Sequence, residues 1–480
     1  MAMEWEQLLN EERPRKTTSA EDHRSQFERD HDRCIFSTPV KRLQDKAQVF
    51  PLEPHDAVRT RLTHSLEVSS VARGLALGAA KDMIEDGRLT GTESEQNQKK
   101  RDIEAIAATC GLLHDIGNPP FGHSGEDAIQ EWFGTRFDCR PKVEREKDGR
   151  EGNRVSRRSL YSLLGEREEL VNDFLKFDGN AQTLRLVTKL QILSDFNGLN
   201  LTFGTLSALM KYTAVSNKTE RDSDHARSKP GYFTSEAEIV KRIREATGTG
   251  EARNPITFLV EAADDITYSV ADVEDGVKKG ILRWDYLESE LKKSEFGKQV
   301  LEGADKILRA GEGSIPQGLD DDVYASAFRT AAIGILVADA RLTFRAKYED
   351  IMNGVYKGEL VKDATTAPLL TMLKKEIGQK KVYTTKSTLK LELMGREVIQ
   401  DLMDLFWEGA ERIEKDGAGG KSFVGKLGSL MSSNYKRVFA RHVGSGGLPD
   451  AYYRLQLVTD YVCGMTDTFA KTLHSELKNG

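Results

Sequence analysis

Long apolar segments, paired cysteines and prolines are all scarce in this 480-residue chain. No uninterrupted apolar run approaches the roughly 20 residues that span a bilayer. The first residues, MAMEWEQLLNEERPRK, lack the apolar core of a secretion signal. Four cysteines, at positions 34, 110, 139 and 463, form no C-x-x-C pair, which argues against a disulfide framework or a zinc finger. We therefore expect a cytoplasmic protein with reduced thiols and no membrane attachment.

An excess of positive charge is also missing. The formal net charge is −6, so the overall charge does not predict a nucleic-acid-binding protein. This balance is compatible with a local phosphate-binding pocket, because such a pocket needs only a few well-placed cations.

Most of the sequence has the periodicity of helices. Only 12 prolines interrupt the chain, and apolar residues recur mostly three and four positions apart, as in RLTHSLEVSSVARGLALGAAKDMI. This spacing predicts an all-α fold. The segment KVYTTKSTLKLEL (381–393) is the clearest exception and predicts a short hairpin. Polar composition predicts loops at 87–101, 139–158 and 216–231. We predict one large helical domain over 1–364 and a C-terminal helical lobe over 365–480.

Ionisable side chains lie on apolar helix faces at three places. His64 and Asp264 each share a predicted face with apolar residues one turn away, and the adjacent His114 and Asp115 end a helix that Gly117 stops. A carboxylate in the interior is costly unless it is paired or binds a metal. Each residue alone could be hydrogen-bonded in the core. Together, two imidazoles and two carboxylates favour a site for Mn²⁺, Fe²⁺ or Mg²⁺ over structural zinc.

The helix that contains Asp264 has two further polar residues in register. Tyr268 and Asp272 follow at steps of four, and each step rotates by only about 40° around the helix. The three side chains therefore form one ridge. Asp272 is placed to accept a hydrogen bond from a sugar 3′-OH, and the Tyr268 ring to occupy the space of a 2′-OH. Alternatively, Tyr268 is a core aromatic and Asp272 a surface charge.

The pattern His…His-Asp…Asp is the signature of the HD phosphohydrolases, and its surroundings narrow the resemblance. Six ordered blocks resemble the bacterial dGTP triphosphohydrolases, and DYVCGMTD (460–467) is also similar; the blocks are RLQDKAQVFPLEPHDAVRTRLTHSLEVSSVAR (42–73), HDIGNPPFGHSGE (114–126), FDGNAQTLRLV (177–187), LMKYT (209–213), KPGYFTSE (229–236) and EAADDITYSVADVEDG (261–276). The resemblance implies a large helical HD-domain fold. It also implies hydrolysis of dGTP to deoxyguanosine and inorganic triphosphate, by attack at the α-phosphorus.

The same resemblance implies roles for the residues around the motif. His64, His114, Asp115 and Asp264 would hold one metal ion, with Mn²⁺ favoured over Mg²⁺ or Fe²⁺. His123 would be the catalytic acid or base and Glu126 the residue that orients it. From the residues alone, GHSGED reads as a helix start with Ser124 as N-cap and Asp127 closing a capping box, which leaves the histidine unexplained.

Twelve residues would contact the nucleotide. Arg61 precedes His64 by three residues and so faces the metal site, where a guanidinium suits phosphate oxygens. By resemblance, the triphosphate would also meet Asn180, Lys211, Tyr212 and Lys229. At the sugar, Gln48 would contact the 3′-OH together with Asp272, and the Tyr268 ring would occupy the space of a 2′-OH. The base would meet Val49, a stacked Tyr383, Glu392 as acceptor for guanine N–H groups, and Arg454.

Other functions remain open from the sequence. One is a different HD phosphohydrolase, such as a 5′-nucleotidase or a triphosphohydrolase that accepts all deoxynucleoside triphosphates. Another is a nucleotide-sensing regulator with an inactive site. Similar enzymes form homo-oligomers, often hexamers, and some respond to single-stranded DNA, so the resemblance implies these properties as well.

Overall fold

The computed structural model describes residues 2–16, 23–50, 52, 58–137, 160–191, 195–220, 223–309, 319–384, 386–414 and 420–479. The described chain is almost entirely helical, which confirms the all-α prediction. Its first eleven helices are α1 (Trp5–Leu8), α2 (Gln26–Ile35), α3 (Thr38–Arg42), α4 (Arg61–Glu85), α5 (Glu93–Leu113), α6 (His123–Phe137), α7 (Leu160–Leu163), α8 (Glu168–Leu175), α9 (Gly179–Arg185), α10 (Phe203–Leu209) and α11 (Ala237–Thr247). The others are α12 (Pro255–Lys278), α13 (Trp284–Leu291), α14 (Glu295–Leu308), α15 (Asp321–Met352), α16 (Leu360–Asp363), α17 (Ala367–Thr371), α18 (Lys386–Glu411), α19 (Phe423–Leu430), α20 (Ser433–His442), α21 (Asp450–Cys463) and α22 (Asp467–Asn479).

Shorter elements connect these helices. Short 3₁₀ helices cover Leu43–Asp45, Ser216–Lys218, His225–Arg227 and Thr234–Glu236, and π-helical turns cover Leu186–Leu190 and Met372–Val382. Two short strands, β1 (Ala214–Val215) and β2 (Pro230–Tyr232), pair in parallel. The predicted loop 216–231 thus contains two of the 3₁₀ helices and the first two residues of β2.

The hairpin predicted at 381–393 is wrong. The π-helical segment ends at Val382, and α18 begins at Lys386. The alternating leucines span only a few residues, and two of them, Leu389 and Leu393, are exposed. The helix is favoured because its continuation places Val398, Leu402 and further apolar residues on one buried face.

The polar segment 87–101 is only partly a loop. Helix α5 begins within it, at Glu93. The side chain of Thr92 accepts a hydrogen bond from the backbone N–H of Glu95, and the Glu95 carboxylate accepts from the backbone N–H of Thr92. This capping box stabilises a helix start whose residues are polar because they face solvent. The predicted loop 139–158 lies outside the described residues.

Two apolar clusters form the core. One is built mainly from α4, α5, α12 and α15, and the π-helical segment Met372–Val382 packs against it. The other joins α6, α8 and α9 to the C-terminal helices α18, α20, α21 and α22. Helices α4 and α5 pack against each other and against α12, and the polar residues of the metal motif lie where these three helices meet.

One described helix, α15, is long and apolar enough to cross a membrane by length and composition. A single helix of this kind is weak evidence. In this fold α15 packs against α4, α12 and α14, and it buries Phe328, Leu336 and Phe344 among them.

Candidate active site

A cavity of about 650 Å³ opens where α4, α5, α6, α12 and the C-terminal part of the chain meet. All the residues predicted for the site line this cavity except His64 and Arg454. Those that line it are Gln48, Val49, Arg61, His114, Asp115, His123, Glu126, Asn180, Lys211, Tyr212, Lys229, Asp264, Tyr268, Asp272, Tyr383 and Glu392. The cavity therefore gathers residues that are more than 300 positions apart in the sequence.

Three of the four predicted metal ligands converge at one end. His64 on α4 and His114, just after α5, direct their Nε2 atoms at Oδ1 of Asp264 on α12, at 3.2 and 3.4 Å. One ligand atom from each residue lies within 4.8 Å of the others. Helices α4 and α5 approach closely because Gly111 of α5 has no side chain. A Cβ at this position would lie 2.8 Å from Cα of Ser69 on α4.

The protonation of His114 fits a bound cation. Its Nδ1–H donates to the carbonyl oxygen of Gly111 at 2.8 Å, so Nε2 is the ring nitrogen that faces the cluster. This Nε2 and that of His64 both face the same oxygen of Asp264. Imidazole nitrogens and a carboxylate oxygen suit a divalent transition metal.

Asp115 is turned toward different partners. Its carboxylate forms an ion pair with Arg61 and accepts a hydrogen bond from Nδ2 of Asn118 at 2.6 Å. Its Oδ2 atom lies 3.5 Å from Nε2 of His114. Burial would raise the pKa of Asp115, but the Arg61 guanidinium and the nearby imidazoles hold it well below its usual range. Asp115 is therefore an ionised carboxylate next to the three-residue cluster, and its role as a ligand stays a prediction.

His123 and Glu126 form a hydrogen-bonded pair on the first turn of α6. Nδ1 of His123 lies 3.0 Å from Oε2 of Glu126, while Oε1 of Glu126 accepts from the backbone N–H of Gly179 at 2.8 Å. The hydrogen bond to Glu126 raises the pKa of His123, whose side chain is largely exposed. The pair leaves Nε2 of His123 open to the cavity. Glu126 is fixed at both oxygens, so it restricts the orientation of the ring.

The predicted cap of α6 is two residues late. The helix begins at His123, so Ser124 lies inside its first turn. The carbonyl oxygen of Gly122 accepts hydrogen bonds from the backbone N–H groups of Gly125 and Glu126. Gly122 and the preceding Phe121 both have left-handed backbone conformations, with φ of 61° and 63°. This sharp turn allows the helix to start at the histidine itself.

Cationic side chains lie beside the metal-ligand cluster. Nζ of Lys211 is 3.9 Å from Oδ2 of Asp264 and 3.7 Å from Oε1 of Glu261, and Nζ of Lys229 is 3.0 Å from Oδ2 of Asp178. Burial would lower the pKa of Lys229, but Asp178 and its neighbours raise it. Both lysines are therefore charged at neutral pH. Asn180 Nδ2 donates to the same Asp178 carboxylate at 2.8 Å.

The ridge of α12 extends from Asp264 in the metal-ligand cluster to Asp272, toward the other end of the cavity. Burial raises the pKa of Asp272 to about 7, although the Tyr383 hydroxyl donates a hydrogen bond to its Oδ2 and opposes this shift. The other carboxylate oxygen of Asp272 and Oε1 of Gln48 are buried and have no hydrogen-bond partner among the described residues. Buried polar atoms normally have partners. These two oxygens are therefore available to a hydroxyl group of a ligand.

Arg454 is not part of the cavity. Its guanidinium donates hydrogen bonds to the carbonyl oxygens of Ala410 and Ile413 and lies over the ring of Phe439. Ala410 lies in α18, so the side chain connects α21 to this helix near its C-terminal end. The structure therefore does not bring Arg454 to the other predicted nucleotide contacts.

Comparison with known proteins agrees with this geometry. The model of the HD domain matches residues 61–171. A deoxyguanosinetriphosphate triphosphohydrolase-like protein of Listeria monocytogenes is 35% identical over 486 residues, which cover 99% of each chain. The deoxyguanosinetriphosphate triphosphohydrolase of Yersinia enterocolitica is 32% identical and covers 98% of this chain and 97% of its own; that of Klebsiella pneumoniae is 32% identical over 92% of both. The chain belongs to the deoxyguanosinetriphosphate triphosphohydrolase family of the HD superfamily. It is therefore a hydrolase, and a site for a divalent metal fits its His–His–Asp cluster.

The cavity of this family member also contains residues that the sequence did not predict. Nε2 of His225 is 2.8 Å from Glu261, and its Nδ1 is 3.1 Å from Glu359. Lys374 lies 4.7 Å from the centre of the Tyr268 ring and 3.5 Å from Asp265. His225 lies in a polar stretch that resembles a solvated loop, so composition hides it. Glu261 carried a signal, because it precedes Asp264 by three residues on the same helix.

Proposed function

We propose that the protein hydrolyses dGTP to deoxyguanosine and inorganic triphosphate with a divalent cation, and that Mn²⁺ is favoured over Mg²⁺ or Fe²⁺. His64, His114, Asp115 and Asp264 would hold the cation. The supporting observation is the order of groups along one cavity. A histidine–carboxylate cluster lies at one end, lysines flank it, and buried acceptors without partners among the described residues lie at the other. A nucleotide with its α-phosphate at the cluster matches this order.

The proposed reaction forms a bond from water oxygen to the α-phosphorus, breaks the bond to the 5′ oxygen, and releases one proton of the attacking water to solvent. When bound, the metal ion would polarise the α-phosphate and lower the pKa of the attacking water. His123 gives a proton to the departing 5′ oxygen from Nε2, because Glu126 engages Nδ1. The proton comes from a ring whose pKa Glu126 raises, which increases the population of its acid form. Glu126 keeps the ring in one orientation.

The proposed triphosphate contacts follow from charge. Arg61, Lys211 and Lys229 line the cavity on the side of the metal-ligand cluster, and Tyr212 and Asn180 add polar donors there. Each of the three cations now pairs with a carboxylate. Phosphate oxygens are strong acceptors for the same donors. We infer that the triphosphate binds along this wall.

The proposed sugar and base contacts use the opposite wall. Asp272 and Gln48 each present a buried acceptor that has no partner in the described part of the chain, which suits the 3′-OH. The ring of Tyr268 lies one helical turn before Asp272 on the α12 ridge. Tyr383 and Glu392 come from the C-terminal part of the chain, 365–480, which thereby forms the base end of the cavity beside Val49. Burial raises the pKa of Glu392, so hydrogen bonds from N–H donors such as those of guanine would stabilise its ionised carboxylate.

Cellular and assembly properties stay predictions from the family resemblance. They are a cytoplasmic location, a homo-oligomer such as a hexamer with contacts from residues 365–480, and single-stranded DNA as an effector. Size-exclusion chromatography with light scattering, with and without an oligonucleotide, tests the last two.

Product analysis tests the proposed function. With dGTP and Mn²⁺, phosphorus NMR should show inorganic triphosphate, chromatography should show deoxyguanosine, and a chelator should stop the reaction. His123→Ala should keep Mn²⁺ and dGTP binding and lower kcat by about 10²–10⁴-fold. Thr135→Ala, on the same helix but outside the cavity, is the matched control. Released pyrophosphate or phosphate, or equal turnover of all deoxynucleoside triphosphates, would replace this function with one of the broader HD activities.

A further inference from the structure

The turn that precedes His123 has an unusual backbone. Phe121 adopts a left-handed conformation with φ of 63°, which a non-glycine residue rarely does. Such a residue persists only where the surrounding structure holds it. Its ring packs against α18 at Gly395, where an added Cβ would lie 2.7 Å from Cγ of Phe121. Within the turn, the N–H of Gly122 donates to the carbonyl oxygen of Pro119 at 3.3 Å, and the N–H of Phe121 itself forms a second hydrogen bond.

That hydrogen bond comes from the C-terminal part of the chain. Oδ1 of Asp467 accepts from the backbone N–H of Phe121 at 2.9 Å. Oδ2 of the same carboxylate accepts from the backbone N–H of Ala47, also at 2.9 Å. Ala47 directly precedes Gln48, and Phe121 lies two residues before His123. One buried carboxylate, 2% exposed, therefore holds the backbone at both segments.

Asp467 does not serve its own helix. It is the first residue of α22, where an acidic residue commonly stabilises the helix start. Here Thr466 provides the cap, because its carbonyl oxygen accepts from the N–H of Ala470 and its hydroxyl from the N–H of Phe469. The two carboxylate oxygens of Asp467 instead accept from Phe121 and Ala47, which lie in other segments. Helix capping thus does not account for this residue.

Lys46 also connects the C-terminal segment to the turn that precedes His123. Nζ of Lys46 is buried and donates to the carbonyl oxygens of Asn118, at 2.6 Å, and of Cys463, at 2.8 Å. Asn118 in turn donates to Asp115. The segment 463–467 is therefore bonded to both segments that carry polar residues of the cavity.

We propose that Asp467 is a positioning residue, which holds the Phe121 peptide so that His123 points its Nε2 into the cavity, and holds Ala47 so that Gln48 faces the sugar. This inference rests on the proposed function of His123. It requires a carboxylate, because both partners are N–H donors. An asparagine would present an NH₂ group to one of these two N–H groups.

A double-mutant cycle tests the proposal. Asp467→Asn should lower kcat for dGTP by roughly ten- to a hundredfold, since a displacement near 1 Å costs that much. Its Mn²⁺ affinity, measured by calorimetry, should stay close to wild type, because no metal ligand is touched. In the His123→Ala background the same substitution should change kcat by less than about twofold, since residues that act as one unit are not additive.

Thr468→Val is the matched control. It removes the exposed hydrogen bond from the Thr468 hydroxyl to Asp45, which joins the same two regions without touching the cavity, and it should leave kcat unchanged. Equal losses from Asp467→Asn in both backgrounds, or the same loss from Thr468→Val, would overturn the positioning role. Full activity of His123→Ala would overturn the assignment of His123 itself, and this inference with it. If Asp467→Asn does not fold, Asp467→Glu keeps the charge but lengthens the side chain, and the same non-additive loss is expected.

Discussion

The carboxyl group of Asp272 gives a stability prediction that does not depend on substrate. Burial raises its pKa from 3.8 to about 7. Between these values the folded protein binds a proton that the unfolded chain has released, so stability falls as the pH rises from about 4 to about 7. A shift of about three units corresponds to at most about 4 kcal/mol, at 1.36 kcal/mol per unit. Asp272→Asn cannot ionise, so it should escape this loss.

Thermal unfolding of the protein without nucleotide or added metal measures this effect. The melting temperature of Asp272→Asn minus that of wild type should increase from pH 5 to about pH 7 and then level off toward pH 8. Tyr383→Phe removes the hydrogen bond that opposes the shift, so it should move the pH-dependent loss of stability to higher pH. Asp285→Asn, at an exposed position, is the control and should show no trend. A difference that stays constant, or that decreases with pH, would refute the assignment of a protonated Asp272.

Three further substitutions test the cavity walls. Tyr268→Ala should raise kcat/KM for GTP relative to dGTP at least about tenfold, because the ring no longer excludes a 2′-OH; an unchanged ratio in steady-state assays would show that the ring does not read the sugar. Glu392→Gln should reduce the preference for dGTP over dATP by about 1–3 kcal/mol, or roughly ten- to a hundredfold, because guanine N–H groups lose their charged acceptor; competition assays with both nucleotides measure this, and an unaltered preference speaks against the contact. Arg454→Ala should lower the melting temperature, since its guanidinium bonds the carbonyl oxygens of Ala410 and Ile413, while leaving base preference intact; altered base preference would return Arg454 to the site.

Local rules predicted the inward direction of two of the proposed metal ligands, but not that they lie close together. His64 and Asp264 lie on long helices whose apolar spacing is regular, so their inward direction follows from periodicity. The ridge of Asp264, Tyr268 and Asp272 follows from the same spacing, and all three residues line one cavity. Periodicity says nothing about how close these helices lie to one another. Only the family resemblance implied that proximity.

The errors and omissions come from short or distant signals. The hairpin at 381–393 rested on a brief alternation, and the longer apolar stripe of α18 outweighed it. The helix start at His123 depends on two left-handed residues, which spacing does not reveal. The bonds of Lys46 to Cys463 and of Asp467 to Phe121 join residues over 300 positions apart. Such pairs leave no periodic trace in one sequence.

The connection of segment 463–467 to residues 46, 47, 118 and 121 has a consequence for synthesis on the ribosome. All the metal-motif residues emerge before residue 265, but the carboxylate that holds the Phe121 peptide is made some 200 residues later. A nascent chain thus contains the histidines and aspartates well before it contains the bonds that complete their surroundings. The pocket can be completed only late in translation. Chains that stop before α22 lack the hydrogen bonds that the N–H groups of Ala47 and Phe121 donate to Asp467.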